Sequence, residues 1–104
     1  MNMLNSVIVE GEVISRKETQ LEGVSRFEFT VATYRTTQDM NGNKIEVVTE
    51  IPCAAYGCLA ESIKKHATLG RGIRVVGRLS GSDGKLSLTV EHAEYKYKKA
   101  DKKA

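Results

Sequence analysis

A strand that turns directly into a helix restricts this chain more than any other feature. Ile51-Pro-Cys-Ala-Ala-Tyr-Gly57 reads as the end of a β segment closed by an aromatic and a glycine, and Cys58-Leu-Ala-Glu61 opens a short helix at once. After Leu69-Gly70 the chain returns into an arginine-studded strand, Gly72-Ile-Arg-Val-Val-Gly-Arg-Leu79. With two β segments before it and one after, such a helix plugs one mouth of a small barrel between the third and fourth strands.

The other segments fit that order. From Leu4 to about Lys17 the chain is rich in β-branched residues (Val7, Ile8, Val9, Val13, Ile14), and Gly11 interrupts it where a glycine marks a bulge or a bend at a barrel corner. After a turn around Gly23, Phe27, Phe29, Val31 and Thr33 fall on one face of a second strand, with Arg26, Glu28, Thr30 and Tyr34 on the other. Asn41-Gly42 is a strong hairpin signal and predicts a finger-like loop between Arg35 and Lys44. The third strand runs from about Ile45 to Tyr56. Pro52 inside it lacks an N–H, so that side must meet an edge, a bulge or solvent.

Leu59, Ile63 and Ala67 repeat at four-residue spacing, with His66 beside them, and predict a helix over Cys58 to Leu69 that stops at Gly70. In the fourth strand Ile73, Val75, Gly77 and Leu79 oppose Arg74, Val76 and Arg78. Gly81-Ser-Asp-Gly84 then reverses the chain, and Leu86, Leu88 and Val90 alternate inward against Lys85, Ser87, Thr89 and Glu91. The order βββαββ has no second helix and no parallel-crossover spacing, which argues against Rossmann and ferredoxin-like layouts. The expected class is all-β with one short helix: an OB-fold, a five-stranded Greek-key barrel with the helix between strands 3 and 4.

A chain of 104 residues makes one domain, expected over residues 1–97, with a basic flexible tail over 98–104. The net charge of +3, from 16 Lys and Arg against 13 Asp and Glu, is a mild basic excess that decides little by itself. The start, Met1-Asn-Met-Leu-Asn-Ser6, has no charged n-region or apolar h-region, and no run approaches a membrane span. A cytoplasmic, nucleoid-associated protein without membrane contact is expected. Cys53 and Cys58 are too few to staple a secreted fold and suit a reducing compartment.

Four stretches together resemble the bacterial single-stranded DNA-binding protein family: Asn5-Ser-Val-Ile-Val-Glu-Gly11, Phe27-Glu-Phe-Thr-Val-Ala-Thr33, Ile51 to Gly57 with Leu59-Ala-Glu61, and Gly70 to Leu79. The likeness runs from about Asn5 to Tyr95. It implies an OB-fold that pairs through its first strand, commonly as tetramers around which single-stranded DNA wraps, and it puts Tyr56 where the family keeps a base-stacking aromatic. The chain departs from the family in carrying Glu50 near the start of the third strand, and Thr36 and Thr37 after the second, where aromatics are usual. Its final hairpin is cut short at Gly81 to Gly84, and a lysine-rich end stands in place of the family's acidic tip. Weaker or differently built binding is the expectation.

Holding a single strand takes cations that follow phosphates and flat side chains on which bases stack. The alternation nominates Tyr56 and Tyr34 as stackers and Arg26, Arg35, Lys44, Arg74, Arg78 and Lys85 as phosphate contacts. The competing reading is rim packing for the tyrosines and a solvated strand face for Arg74 and Arg78. With 6% aromatic residues and no tryptophan, electrostatics should carry a larger share of affinity, with steep salt dependence.

No enzyme is expected. Cys53, Cys58, His66 and His92 lack zinc-ligand spacing, no Walker loop or GxSxG elbow occurs, and no cofactor or metal is implied. His66 is expected to cap the helix or pack at the barrel mouth. The first functional reading is sequence-independent binding of single-stranded DNA, with RNA as a second candidate ligand, in replication, repair or recombination. The expected assembly is a homo-oligomer, a tetramer before a dimer. The alternative is an accessory protein of the primosomal type that acts mainly through replication-protein contacts. A cold-shock-like RNA binder is disfavoured because its dense aromatic motifs are missing.

Overall fold

The computed structural model describes residues 3–82 and 84–98. Five strands and a helix follow one another as β1 (Val7–Leu21), β2 (Val24–Gln38), β3 (Lys44–Tyr56), α1 (Gly57–His66), β4 (Arg71–Ser82) and β5 (Lys85–Lys98). The sheet closes on itself in the order β1-β2-β3-β5-β4, so the expected OB-type barrel is the fold. Of the basic tail expected over 98–104, residues 99–104 lie outside the described residues, as does Asp83 of the last turn.

Closure depends on β1 serving two neighbours. Its first half, Val7 to Glu12, pairs antiparallel with β4, and its second half, Glu12 to Leu21, pairs with β2. At the hand-over a Cβ on Gly11 would fall on the Ala32 carbonyl, so only glycine lets the two backbones meet there. The bulge follows the glycine, between Val13 and Ser15. It reverses the face on which the next residues lie, because side-chain parity shifts when one strand gains a residue. On the other side, β3 and β5 are joined by a short parallel contact at Cys53–Leu88 and Ala54–Thr89, and Pro52 falls just outside it.

The barrel interior is filled by Val13, Phe27, Phe29, Val31, Ile73, Val75, Leu88 and Val90, and α1 closes one mouth with Ala60 and Ile63. Arg16 fastens that plug. Its Nη1 donates to the Ala67 carbonyl at 2.8 Å and its Nη2 to the Lys64 carbonyl at 3.0 Å, while its guanidinium carbon lies 5.0 Å from the Phe27 ring centroid. These donors satisfy carbonyls that a helix C-terminus leaves without intrahelical partners.

Three expectations need correction. The helix ends at His66 rather than Leu69: Ala67 leaves helical geometry at φ −88°, ψ 67°, and Gly70 belongs to the next turn, where its N–H donates to the Val13 carbonyl at 2.8 Å. β1 reaches Leu21, turning through Glu22 (φ 52°) and Gly23 (φ 81°), the two positive values of a tight hairpin whose twist matches the strands. Leu79 and Leu86 have inward parity yet are exposed, because the β4–β5 hairpin runs past the end of the core.

Candidate nucleic-acid interface

The outer faces of β1, β2 and β3 enclose a groove of about 380 Å³. Ser15 and Lys17 line it from β1, Arg26, Glu28 and Thr30 from β2, and Pro52 and Ala54 from β3, with Ser87 of β5 at its far wall. The bulge in β1 turns Ser15 and Lys17 toward this groove, with Ser15 opposite Thr30 and Lys17 opposite Glu28. Among the described residues Lys17 makes no ion pair, so its ammonium is free to meet a phosphate.

Tyr56 stands at the helix end of the groove, directly across from Arg26 in the β2–β3 ladder. It is the last residue before α1, held in extended geometry (φ −132°, ψ 152°), and the residue is 39% exposed. The Arg26 guanidinium carbon lies 5.7 Å from the ring centroid, and its Nη2 is 3.0 Å from Glu28 Oε2. The Arg26 Nε is shut off from solvent without an acceptor. A flat, partly open ring beside a braced guanidinium is the arrangement on which an unpaired base stacks.

Tyr34 has a different setting. Its hydroxyl donates to Glu12 Oε1 at 2.9 Å, and that bond, with burial and the charges of Glu12, Glu46 and Glu50, raises its pKa above the ordinary tyrosine value. The residue is 48% exposed but shares its face with carboxylates, which repel phosphate. Beyond it β2 and β3 pair only with each other, and the expected finger is a two-stranded ribbon reaching Gln38 and Lys44. Asp39 organises its tip rather than an Asn41-Gly42 turn alone: Oδ1 accepts the N–H groups of Asn41 and Asn43, both at 2.9 Å, which holds the carboxyl below its usual range. Lys44 shares the Tyr34 face of the ribbon, and Arg35 has the opposite parity, across from Val47.

The β4 cations expected to contact phosphate are bound up with carboxylates. Arg74 lies 3.5 Å from Glu10 and 3.4 Å from Glu94, and Lys96 also pairs with Glu10. Arg78 sits at the flank of the groove, two strands from Ala54, in a looser 3.6 Å pair with Glu91. Lys85 begins β5 on the same face as Ser87 and has no ion pair among the described residues. The structure therefore brings together Tyr56 and Arg26 at one end of the groove, places Lys85 beyond Ser87 toward the other end, and leaves Arg74 and Arg35 outside the groove.

Of the residues lining the groove, only Arg26 was among the sequence candidates; Ser15, Lys17, Glu28, Thr30, Pro52, Ala54 and Ser87 were not. For Ser15 and Lys17 the signal was the glycine at 11, which announced a bulge without giving its place. Cys53 is buried in the core, which pushes its thiol up to about 12, and Cys58 is exposed on the first turn of α1. Of the two roles expected for His66, capping the helix or packing at the barrel mouth, the structure shows packing: its ring lies tilted by 31° against Tyr95, with centroids 5.1 Å apart. Among the described residues no three potential metal ligands cluster.

A closed five-stranded barrel with its helix between β3 and β4 and a groove across β2–β3 is the architecture of oligonucleotide-binding OB domains. The chain belongs to the single-strand binding protein family, whose model matches residues 4–98. Among solved structures it is similar to a deletion mutant of the single-stranded DNA binding protein from Thermus aquaticus, at TM-score 0.78 and 20% identity. That match covers 93% of this chain but only 52% of the Thermus chain, so the present chain spans about half of its length. The Plasmodium falciparum SSB in complex with ssDNA gives TM-score 0.78 at 17% identity, covering 91% of this chain and 96% of that one. The PriB protein from Ralstonia solanacearum gives 0.72 at 15%, covering 89% and 98%. No curated protein sequence matches the chain.

Proposed function

We propose that this chain binds single-stranded DNA without regard to sequence and performs no chemistry on it. A base stacks on Tyr56 while the phosphates run past Lys17 and Lys85. The observation that carries the reading is the Tyr56–Arg26 pair at the end of a groove lined by Lys17, which makes no ion pair among the described residues. Family membership supports it, and so does the likeness to a barrel solved in complex with ssDNA. Replication, repair and recombination, in the cytoplasm, are the settings such binding serves. Digestion by a single-strand-specific nuclease tests it: the protein should protect oligo-dT at stoichiometric ratios, and unprotected oligomer would refute it.

The protein acts as a homo-oligomer of at least two copies. The Val7–Gly11 half of β1 has a ladder on its β4 side only, and Ile8 on it is 68% exposed, an edge that a second copy covers. Light scattering should give at least the dimer mass, and a concentration-independent monomer would count against it. A second reading, the accessory protein acting through protein contacts, draws on the carboxylates around Tyr34 and on the PriB-like fold. It gains if the nuclease finds the strand unprotected.

A further inference from the structure

Resting on the single-strand reading, we infer that Glu28 biases the groove toward bases that carry an exocyclic amino group, cytosine before thymine. Among the described residues, Glu28 is the one carboxylate lining the groove. Arg26 holds its Oε2 at 3.0 Å, and its Oε1 has no hydrogen-bond partner among the described residues. An ionised carboxylate only accepts hydrogen bonds, and it repels phosphate. What meets Oε1 inside the groove is therefore a base edge rather than the backbone of the strand.

Base edges differ in what they offer an acceptor. Cytosine presents an amino group at C4, where thymine and uracil present a keto oxygen, and adenine presents one at C6, where guanine presents a keto oxygen. The amino group donates to Oε1, and the keto oxygen in the same place is pushed away. The neighbouring hydroxyls of Ser15, Thr30 and Ser87 donate or accept with equal ease and do not discriminate. Arg26 Nη2 is engaged by Glu28, while its Nη1, which has no partner among the described residues, still donates to any base oxygen or ring nitrogen, so it supplies affinity without choice. The groove's volume of about 380 Å³ is in the range of clefts that take small ligands, ~300–1,000 Å³. The outcome is a modest base bias superimposed on sequence-independent binding.

If Glu28 served only to brace Arg26, losing it would weaken all bases alike. The test measures fluorescence anisotropy of the full chain with short oligo-dC, oligo-dT and an oligomer of N4,N4-dimethyl-dC, at neutral pH and one salt concentration. Oligo-dC should bind about threefold to tenfold tighter than the dimethylated oligomer, the worth of one hydrogen bond. Glu28→Gln should lower the dC-to-dT affinity ratio by a similar factor, since an amide donates to a keto oxygen as readily as it accepts from an amine. Equal binding of dC and its dimethylated form, or a dC-to-dT ratio unmoved by Glu28→Gln, overturns the inference while leaving single-strand binding in place. Failure to bind any oligomer refutes the single-strand reading itself, and the bias with it.

Discussion

The Arg26 guanidinium and the Tyr56 ring, direct partners across the β2–β3 ladder, lie 5.7 Å apart at the end of the groove. The guanidinium braces the ring and is itself braced by Glu28. Tyr56→Ala should then weaken oligo-dT binding by ~1–3 kcal/mol, and Tyr56→Phe should bind nearly as the parent does, because stacking uses the ring and not the hydroxyl. Competition titrations of the three proteins check this. Alanine binding as tightly as tyrosine would reduce Tyr56 to packing.

The cations divide by their partners. Lys17 lines the groove with no ion pair among the described residues, so Lys17→Ala should lower the log–log salt slope of binding by roughly 0.7, one counterion released from a single strand. Arg74 is held between Glu10 and Glu94, and Arg74→Ala should change that slope less. Salt titrations of both variants decide the matter, and a larger change for Arg74 would move the phosphate path to the β4 face.

Arg16 donates to two carbonyls at the end of α1 and covers Phe27. Hydrogen bonds from charged groups are worth ~1.5–3 kcal/mol, so Arg16→Ala should lower the unfolding free energy by about that amount. Arg16→Lys should recover only part of the loss, since an ammonium lacks the planar fork. Urea unfolding of both variants measures it.

These residues also mark where the sequence was legible. Strict alternation placed Phe27, Phe29, Val31, Ile73, Val75 and Leu88 inside the barrel, and all are buried. Alternation also put Tyr56 and Arg26 on strands facing outward, which is where they meet. It could not place Lys17 or Ser15, because the bulge after Val13 shifts parity and its position is set by how β1 passes from β4 to β2. Nor could it show that Arg74 faces Glu10 and Glu94, since those pairings come from register between distant segments. The end of α1 was overrun for a related reason: Ala67 keeps helical phase and is buried, yet its carbonyl belongs to Arg16.

Acid should destabilise the fold in a defined window. Lys96 holds the Glu10 carboxyl below its ordinary value of 4.5, the Ser25 hydroxyl does the same for Glu61, and the Asn43 backbone N–H holds Asp39 below 3.8. A carboxyl whose pKa is lower in the folded than in the unfolded chain adds stability above its ordinary value. That contribution disappears as pH falls through the folded value. Melting temperatures should therefore be level near neutrality and decline below about pH 4.5. All three carboxyls are exposed, so added salt should shrink the effect. A melting temperature unchanged down to the acid limit would count against these contacts.

The central claim is that the groove holds single-stranded nucleic acid, and the most direct test is a titration of labelled oligo-dT against the protein over a series of salt concentrations. The account predicts saturable binding whose logarithm falls linearly with the logarithm of salt, and much weaker binding of a duplex of the same length. Equal affinity for the duplex, or no binding of oligo-dT at low salt, would contradict it.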